Sequence, residues 1–146
     1  MNDIKRAEFI LPIRVYYEDT DVAGVVYYAN YLKFYERGRT EWLRSLGYDQ
    51  DVLIEQGLAF AVAHVDARYF APARFNDHLL VKTQIVKSRR ASVVFQQQIV
   101  LKDPDENGEQ KLLNEATIKV ACVDVNTMIP TSMPDYLVEE IASDWC

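Results

Sequence analysis

The sequence predicts an α+β domain in which one long helix packs across one face of a five-stranded antiparallel sheet. Two observations support this prediction. Apolar residues recur at helical spacing over one segment near the N-terminal end, and four later segments alternate apolar and polar residues with a period of two. The link between the second and third of those segments, residues 88–91, is short, which favours antiparallel neighbours. A strand-like segment before the helix supplies the fifth strand.

The first strand is predicted over residues 9–17, where apolar and polar side chains alternate. Pro12 lies in this segment, and because proline cannot donate a backbone hydrogen bond we expect the strand at an edge of the sheet. The long helix is predicted over residues 31–46 from its amphipathic stripe. Asn30 is a suitable N-cap for it, and Gly47 is a suitable C-terminal stop.

Gly38 lies in the middle of that helix and costs ~1 kcal/mol relative to alanine, so we expect the helix backbone to approach the sheet closely there. A short second helix is predicted over residues 50–56, ended by Gly57. A last helix is predicted after Pro134. The later strands are predicted over residues 58–70, 79–87, 92–101 and 112–125.

The chain has 146 residues, the size of one ordinary domain, so residues 1–146 are predicted to form a single domain. No apolar run approaches the ~18 residues that cross a bilayer, so no membrane span is expected. The N-terminal segment carries charges and a proline where a signal peptide needs an unbroken apolar stretch. We therefore expect a cytoplasmic location.

The formal net charge of −6 disfavours nucleic acid as a partner, because phosphate contacts need a high density of basic residues. An anionic ligand would instead require a local basic cluster. Cys122 lies in an apolar run and Cys146 is the last residue, so no disulfide framework is expected. His64 and His78 are assigned ordinary structural or surface roles, and no spacing of His, Cys and carboxylates predicts a metal site.

The segment from Tyr17 to Tyr31, YEDTDVAGVVYYANY, carries the strongest functional signal. It places acids, a glycine and aromatic residues in a short link between the first strand and the long helix. At a helix start, backbone N–H groups lack intrahelical partners and can stabilise negative charge. A buried carboxylate beside such groups is suited to attack on an acyl carbon.

Acidic residues before a helix often serve only as caps and as partners of the helix dipole, and Asp21 taken alone fits that interpretation. Asp19 is interpreted as mainly structural. Tyr17 is assigned either to a pocket wall or to the core. The Tyr28 hydroxyl is a poor base at neutral pH, because the pKa of free tyrosine is ~10.

The segment VYYEDTDVAGVVYYANYLKFYERGRTEWLRSLG, residues 15–47, resembles the hot-dog acyl-CoA thioesterases. It is similar, more narrowly, to the Tol-Pal-associated acyl-CoA thioesterases and to the wider 4-hydroxybenzoyl-CoA thioesterase group. A second matching stretch, ARYFAPARFNDHLLVKT, covers residues 67–83. The order of strand, helix and strands also matches, so the resemblance covers most of the chain.

The resemblance implies a hot-dog fold, in which a five-stranded antiparallel sheet wraps around one long helix. It implies homo-oligomers, as a dimer or a homotetrameric dimer of dimers, with active sites between subunits. The catalytic carboxylate falls on Asp21, and Tyr17 also matches the Tol-Pal-associated pattern. That pattern has histidine where this chain has Tyr28. The 4-hydroxybenzoyl-CoA thioesterases have tyrosine there and use its backbone N–H.

The implied reaction is hydrolysis of an acyl-CoA thioester, with no separate cofactor because coenzyme A is part of the substrate. Asp21 would attack the carbonyl or deprotonate a water, and the sequence leaves both routes open. Backbone N–H groups from Val26 to Tyr28 would stabilise the oxyanion, and Gly24 would let the chain approach the substrate closely. The predicted substrate-binding residues are Tyr17, Gly24, Val26, Tyr27, Tyr28, Arg89 and Arg90.

The coenzyme A phosphates need a basic cluster, and KSRRAS with Lys87, Arg89 and Arg90 is the best candidate. A solvated turn is the alternative for that segment, and Arg68 and Arg74 are second choices. A catalytically weak hot-dog protein that binds an acyl group or a partner protein is the alternative function. A hydratase is disfavoured, because no histidine precedes His64.

Overall fold

Five strands and three α-helices form the described part of the chain, residues 8–145, in the computed structural model. They are β1 (Glu8–Arg14), α1 (Tyr31–Ser45), α2 (Gln50–Glu55), β2 (Leu58–Tyr69), β3 (His78–Ser88), β4 (Ser92–Leu101), β5 (Leu112–Asp124) and α3 (Asp135–Trp145). Two single-turn 3-10 helices, Tyr17–Asp19 and Tyr28–Asn30, lie between β1 and α1. The predicted later strands and helices are confirmed, and none of their predicted boundaries differs from the observed one by more than one residue.

All five strands belong to one antiparallel sheet with the order β1-β3-β4-β5-β2. The strand β1 pairs only with β3, so the predicted edge position of Pro12 is confirmed. The other edge is β2, which pairs with β5 from Leu58 opposite Asp124 to Tyr69 opposite Asn114. One end of the sheet therefore holds Tyr69 and the start of β3, and the far end holds Leu58 and the β3–β4 link.

The predicted first strand is too long, because β1 ends at Arg14 and Tyr17 begins a 3-10 turn. The physical reason is the Asp19 carboxylate, whose Oδ2 accepts a hydrogen bond of 2.8 Å from the Tyr16 N–H and closes the turn. The Tyr17 side chain is 81% exposed, so of its two predicted positions the core is excluded. Alternation of apolar residues alone could not reveal this local bond.

The helix α1 packs on the inner face of the sheet, with its buried stripe formed by Tyr31, Phe34, Tyr35, Gly38, Trp42 and Leu43. A Cβ atom at Gly38 would lie 2.9 Å from both Thr83 Oγ1 and Val81 Cγ1. The expected close approach of helix and sheet is thereby confirmed. Gly47 ends the helix with φ +94, a left-handed conformation that glycine adopts without strain.

The prediction that the Asn30 side chain caps the helix is wrong. Asn30 has helical dihedrals and its side chain makes no capping bond. Its Nδ2 instead donates to Asp19 Oδ1 at 2.9 Å. Asn30 therefore ties the start of α1 to the preceding link. The whole arrangement, one helix against a five-stranded antiparallel sheet, confirms the predicted α+β hot-dog fold.

Among residues 8–145, no helix combines the length and the apolar character that crossing a membrane requires.

Candidate active site

The link between β1 and α1 folds into a small hairpin, which we call the Asp21 hairpin (residues 19–27). The Asp21 N–H donates to the Val25 carbonyl at 2.9 Å, and the Tyr27 N–H donates to the Asp19 carbonyl at 3.2 Å. Gly24 closes the turn with φ +80 and donates to the Asp21 carbonyl at 3.0 Å. A positive φ favours glycine, so Gly24 is needed for the turn itself.

The loop between β2 and β3 holds this hairpin in place. The Val26 N–H donates to the Ala73 carbonyl at 2.8 Å, and Val25 forms an antiparallel bridge with Arg74. The Ala73 N–H donates in turn to the Tyr31 hydroxyl at 2.9 Å. The two sequence stretches that carry the family resemblance are therefore in direct contact, and the two residues joined by the last of these bonds are 42 positions apart in the chain.

The Asp21 side chain is exposed in the single chain, so the expectation of a buried acid is wrong for one subunit. Its Oδ1 accepts a hydrogen bond of 2.8 Å from the Ala23 N–H, which fixes the carboxylate over the turn. The buried carboxylate of the hairpin is instead Asp19, which is 6% exposed and holds Tyr16 and Asn30. These contacts agree with the structural role predicted for Asp19.

The predicted oxyanion donors differ in availability. The N–H groups of Val26 and Tyr27 are already donated to Ala73 and Asp19. Tyr28 is the first residue of a 3-10 helix, and within residues 8–145 its N–H has no acceptor. Among the three predicted donors, the geometry leaves the N–H of Tyr28 free for a ligand.

Exposed aromatic rings surround this helix start. The Tyr28 ring is 62% exposed and lies 4.9 Å from the Tyr27 ring and 6.2 Å from the Tyr69 ring, between centroids. The Tyr69 ring lies 5.8 Å from Tyr31. Burial raises the pKa of Tyr69 and of Tyr31, so both hydroxyls stay protonated at neutral pH. Tyr69 is not among the site residues predicted from the sequence, although it lies in the second matching stretch.

Tyr17 contacts the loop that holds the Asp21 hairpin. Its ring meets the ring of Phe75 edge to face, with 6.0 Å between centroids. Phe75 belongs to the loop that holds the hairpin and is itself 53% exposed. Tyr17 and Phe75 thus form an exposed aromatic pair next to the turn of the hairpin, where the Phe75 N–H donates to the Gly24 carbonyl at 3.4 Å, and this is compatible with the predicted pocket wall.

Arg89 and Arg90 lie in the β3–β4 link, at the far end of the sheet. The start of β3 lies near the Asp21 hairpin, because Arg74, four residues before β3, forms a bridge with Val25 of the hairpin. The 11 residues of β3 then span roughly 35 Å at ~3.3 Å per residue. One chain therefore does not bring these arginines to Asp21. Arg90 is exposed and forms an ion pair of 3.2 Å with Asp135 of α3.

The second-choice arginines lie elsewhere. Arg74 is exposed and directly beside the hairpin through its bridge to Val25. Arg68 lies with Asp66 and Glu115 in a shallow depression near the end of β2. Within the described chain, no group of three His, Cys, Asp or Glu side chains is placed to hold a metal ion.

Comparison with known proteins identifies the family to which this chain belongs. The model of the thioesterase-like superfamily matches residues 15–141. The acyl-CoA thioester hydrolase YbgC of Escherichia coli O157:H7 is 47% identical over 132 residues, covering 90% of this chain and 94% of that protein.

Two solved thioesterase structures superpose on this chain. A probable thioesterase from Bartonella henselae superposes with a TM-score of 0.78 at 32% identity, covering 88% of this chain and all of that one. The 4-hydroxybenzoyl-CoA thioesterase from Pseudomonas sp. strain CBS-3 has a TM-score of 0.80 at 21% identity, covering 92% and 99%, and shows the shared fold. The predicted enzyme class, a thioesterase, is confirmed at the level of the family. The chain belongs to the thioesterase-like superfamily.

Proposed function

We propose that this protein hydrolyses acyl-CoA thioesters, with Asp21 as the nucleophile or general base. The observation that carries the proposal is the Asp21 hairpin. One arm holds the carboxylate at the turn, and the other arm leads directly to the free N–H of Tyr28 at a helix start. The names of the relatives support the substrate class, since the Escherichia coli protein is an acyl-CoA thioester hydrolase.

The chemistry suits a single carboxylate. The leaving group is a thiolate, whose conjugate acid has a pKa of ~8.5 by analogy with cysteine, so departure needs little help from an acid. Asp21 attacks the carbonyl, the CoA thiolate leaves, and water then hydrolyses the mixed anhydride to release the acid; alternatively, Asp21 deprotonates a water that attacks the carbonyl and displaces the thiolate. Both routes place negative charge on the carbonyl oxygen. The N–H of Tyr28 and the positive end of the helix dipole both stabilise that charge.

A partner subunit completes the site in this proposal. Asp21 is exposed, and the neighbouring rings of Tyr27, Tyr28 and Tyr69 are 52%, 62% and 45% exposed. Clustered apolar surface of this kind is typical of an interface. The edge strand β2 also has an unpaired side, and Val62 on that strand is 50% exposed. A homodimer through β2 would cover these surfaces and enclose the carboxylate.

Pairing two β2 edges also accounts for the distant arginines. Antiparallel pairing about a two-fold axis sets the Leu58 end of one β2 beside the Tyr69 end of the other. Since the β3–β4 link lies at the Leu58 end, Arg89 and Arg90 of the partner subunit would come to the same end as Asp21. Those arginines are then available to the coenzyme A phosphates.

The experiment is a panel of short, long and aromatic acyl-CoAs, with release of free thiol as the readout. Turnover of at least one class by the wild type, lost in Asp21→Asn and kept in Asp103→Asn, is the expected result. Asp103 is a matched control because it is an exposed aspartate outside the site. Binding of acyl-CoA without turnover would favour the alternative, a catalytically weak acyl-binding protein.

A further inference from the structure

A second cavity lies apart from the Asp21 hairpin, between the C-terminal half of α1 and the far end of the sheet. Its volume is about 270 Å³. Polar residues on one side of it include Glu36, Arg39, Thr40 and Gln50, and the apolar residues include Trp42, Leu43, Phe60, Val93, Phe95 and Ile141. None of these residues belongs to the hairpin or to the helix start. The proposed hydrolysis at Asp21 does not use this cavity within one chain.

One charged side chain is held in a defined position at the wall of this cavity. Arg39 lines it, and its Nη1 donates to Gln97 Oε1 at 3.0 Å. Gln97 is completely buried, and its Nε2 donates to the Tyr35 carbonyl at 3.0 Å and to Thr83 Oγ1 at 2.8 Å. Gln97 is therefore locked between the helix and two strands, and it holds the guanidinium of Arg39 in a set position.

The guanidinium has no carboxylate partner among the side chains of residues 8–142. The ion pairs found there join Arg44 with Glu41 and Arg90 with Asp135. A guanidinium carries five N–H donors, and in this region Gln97 is its hydrogen-bond acceptor. Burial lowers the pKa of Arg39, which reflects the cost of holding its charge away from water. Such a charge is stabilised by an anion.

Glu36 lines the same cavity one helical turn before Arg39, and it has to be weighed as a competitor. It raises the pKa of Arg39 by its charge, but it is exposed and forms no ion pair with Arg39 within 4.0 Å. An exposed carboxylate is screened by solvent. Glu36 thus compensates the charge of Arg39 only weakly, and it leaves N–H donors of the guanidinium available to a ligand.

We propose that this cavity binds a carboxylate carried on a small apolar body. The carboxylate contacts the Arg39 guanidinium, and the body packs against Val93 and Phe95. A guanidinium matches a carboxylate in shape and charge. The volume lies near the lower limit of the ~300–1,000 Å³ typical of ligand pockets, so the ligand is small. The proposal does not depend on the catalytic role of Asp21.

Two sources can supply this chemistry. One is a free carboxylic acid, the class of product that thioester hydrolysis releases. The other is the far carboxylate of a dicarboxylic acyl group, and this case rests on the proposed function. It also requires the β2 pairing, which sets the cavity of the partner subunit at the same end as the hairpin.

The primary experiment is calorimetric titration of the full-length protein with hexanoate and with hexanol, which differ in charge but hardly in length. We expect hexanoate to bind at least ~10-fold more tightly than hexanol. Equal affinity of the two would overturn the proposal without any variant. Arg39→Gln should abolish the preference for hexanoate, and Arg39→Lys should keep part of it. Hexanoate binding that survives Arg39→Gln unchanged would also overturn the proposal.

Control variants test whether the loss of hexanoate binding is specific to Arg39 and to this cavity. Arg44→Gln removes an exposed arginine from the same helix and should leave hexanoate binding unchanged. Asp21→Asn should also bind hexanoate like the wild type, so that failure of the catalytic proposal is distinguished from failure of this one. Thr40→Trp enlarges a half-buried residue of the cavity wall on α1 and should weaken binding of both probes. Circular dichroism confirms that each variant is folded.

A second experiment distinguishes a free carboxylic acid from a dicarboxylic acyl group. It compares the turnover of adipoyl-CoA with that of hexanoyl-CoA. If the far carboxylate of an acyl group occupies the cavity, Arg39→Gln lowers kcat/KM for adipoyl-CoA at least ~10-fold and leaves hexanoyl-CoA unchanged. If the occupant is a free acid, Arg39→Gln changes neither value, and hexanoate binding alone is lost.

Discussion

Asn30 Nδ2 donates a hydrogen bond of 2.9 Å to Asp19 Oδ1, and both residues are buried. This bond joins the start of α1 to the base of the Asp21 hairpin. Asp21 follows Asp19 by two residues, and Tyr28 precedes Asn30 by two. One buried pair therefore sets the position of the proposed catalytic carboxylate relative to the proposed oxyanion donor.

We expect Asp19→Ala to lower the free energy of unfolding by ~2 kcal/mol, because the Asn30 amide and the Tyr16 N–H lose their acceptor. Urea denaturation followed by circular dichroism measures this change. The control is Asp21→Ala, which removes an exposed carboxylate and should cost less than ~1 kcal/mol. Equal losses in the two variants would show that the buried pair does not hold the hairpin.

A second prediction concerns high pH. Burial raises the pKa of Tyr31, Tyr35 and Tyr69, so the folded protein keeps these protons when the unfolded chain releases them. Their contribution is fully present below the unfolded value of ~10 and is lost as the pH rises above it. The free energy of unfolding should therefore fall with pH above ~10, and Tyr35→Phe should flatten that fall. The free energy of unfolding of each protein is measured by urea denaturation at several pH values. If that of Tyr35→Phe falls with pH as steeply as that of the wild type, Tyr35 does not contribute to the fall.

The proposed oxyanion donor is tested with a proline substitution. Tyr28→Pro removes the backbone N–H at the first helical position, where proline is tolerated. The preceding residue, Tyr27, has φ −60 and ψ 131, a conformation that suits a residue before proline. We expect kcat to fall ~100-fold or more.

Tyr28→Phe is the matched control for that prediction, because it keeps the N–H and removes only the hydroxyl. Its kcat should stay within a few-fold of the wild type. Similar losses in the proline and phenylalanine variants would assign the effect to the ring rather than to the N–H. The melting temperature of each variant reports whether the helix start is intact.

A site shared between subunits predicts complementation. Asp21→Asn and a double variant with Arg89→Ala and Arg90→Ala should each have low kcat/KM for acyl-CoA. After mixed refolding, about half of the dimers contain one of each chain and one intact site, so activity should recover to about a quarter of the wild-type value. No recovery would mean that these arginines do not reach Asp21 across the interface.

The sequence predicted the elements that depend on regular patterns. The apolar stripe located α1, and Gly38 indicated the close approach that Thr83 and Val81 now define. Period-two alternation also places Gln97 on the inner face with Phe95 and Ile99, yet its polar character gave no hint of a partner in Arg39. That partner depends on how the helix sits over the sheet.

The parts of the site that were not predicted depend on long-range geometry. Asp21 was expected to be buried, but one chain leaves it exposed, since the hairpin projects from the helix start. Arg89 was predicted to bind substrate from its basic cluster, and the direction of β3 takes it to the far end of the sheet from Asp21 of the same chain. Neither the direction of a strand nor the surface that a second subunit covers can be deduced from local spacing.

The most direct measurement is the turnover of acyl-CoA by Asp21→Asn, read out as free thiol released under saturating substrate. The substitution removes the negative charge and preserves the shape of the side chain. We predict that kcat falls at least ~100-fold while the melting temperature stays at the wild-type value. Hydrolysis at the wild-type rate by a folded Asp21→Asn protein would contradict the assignment of Asp21 as the catalytic carboxylate.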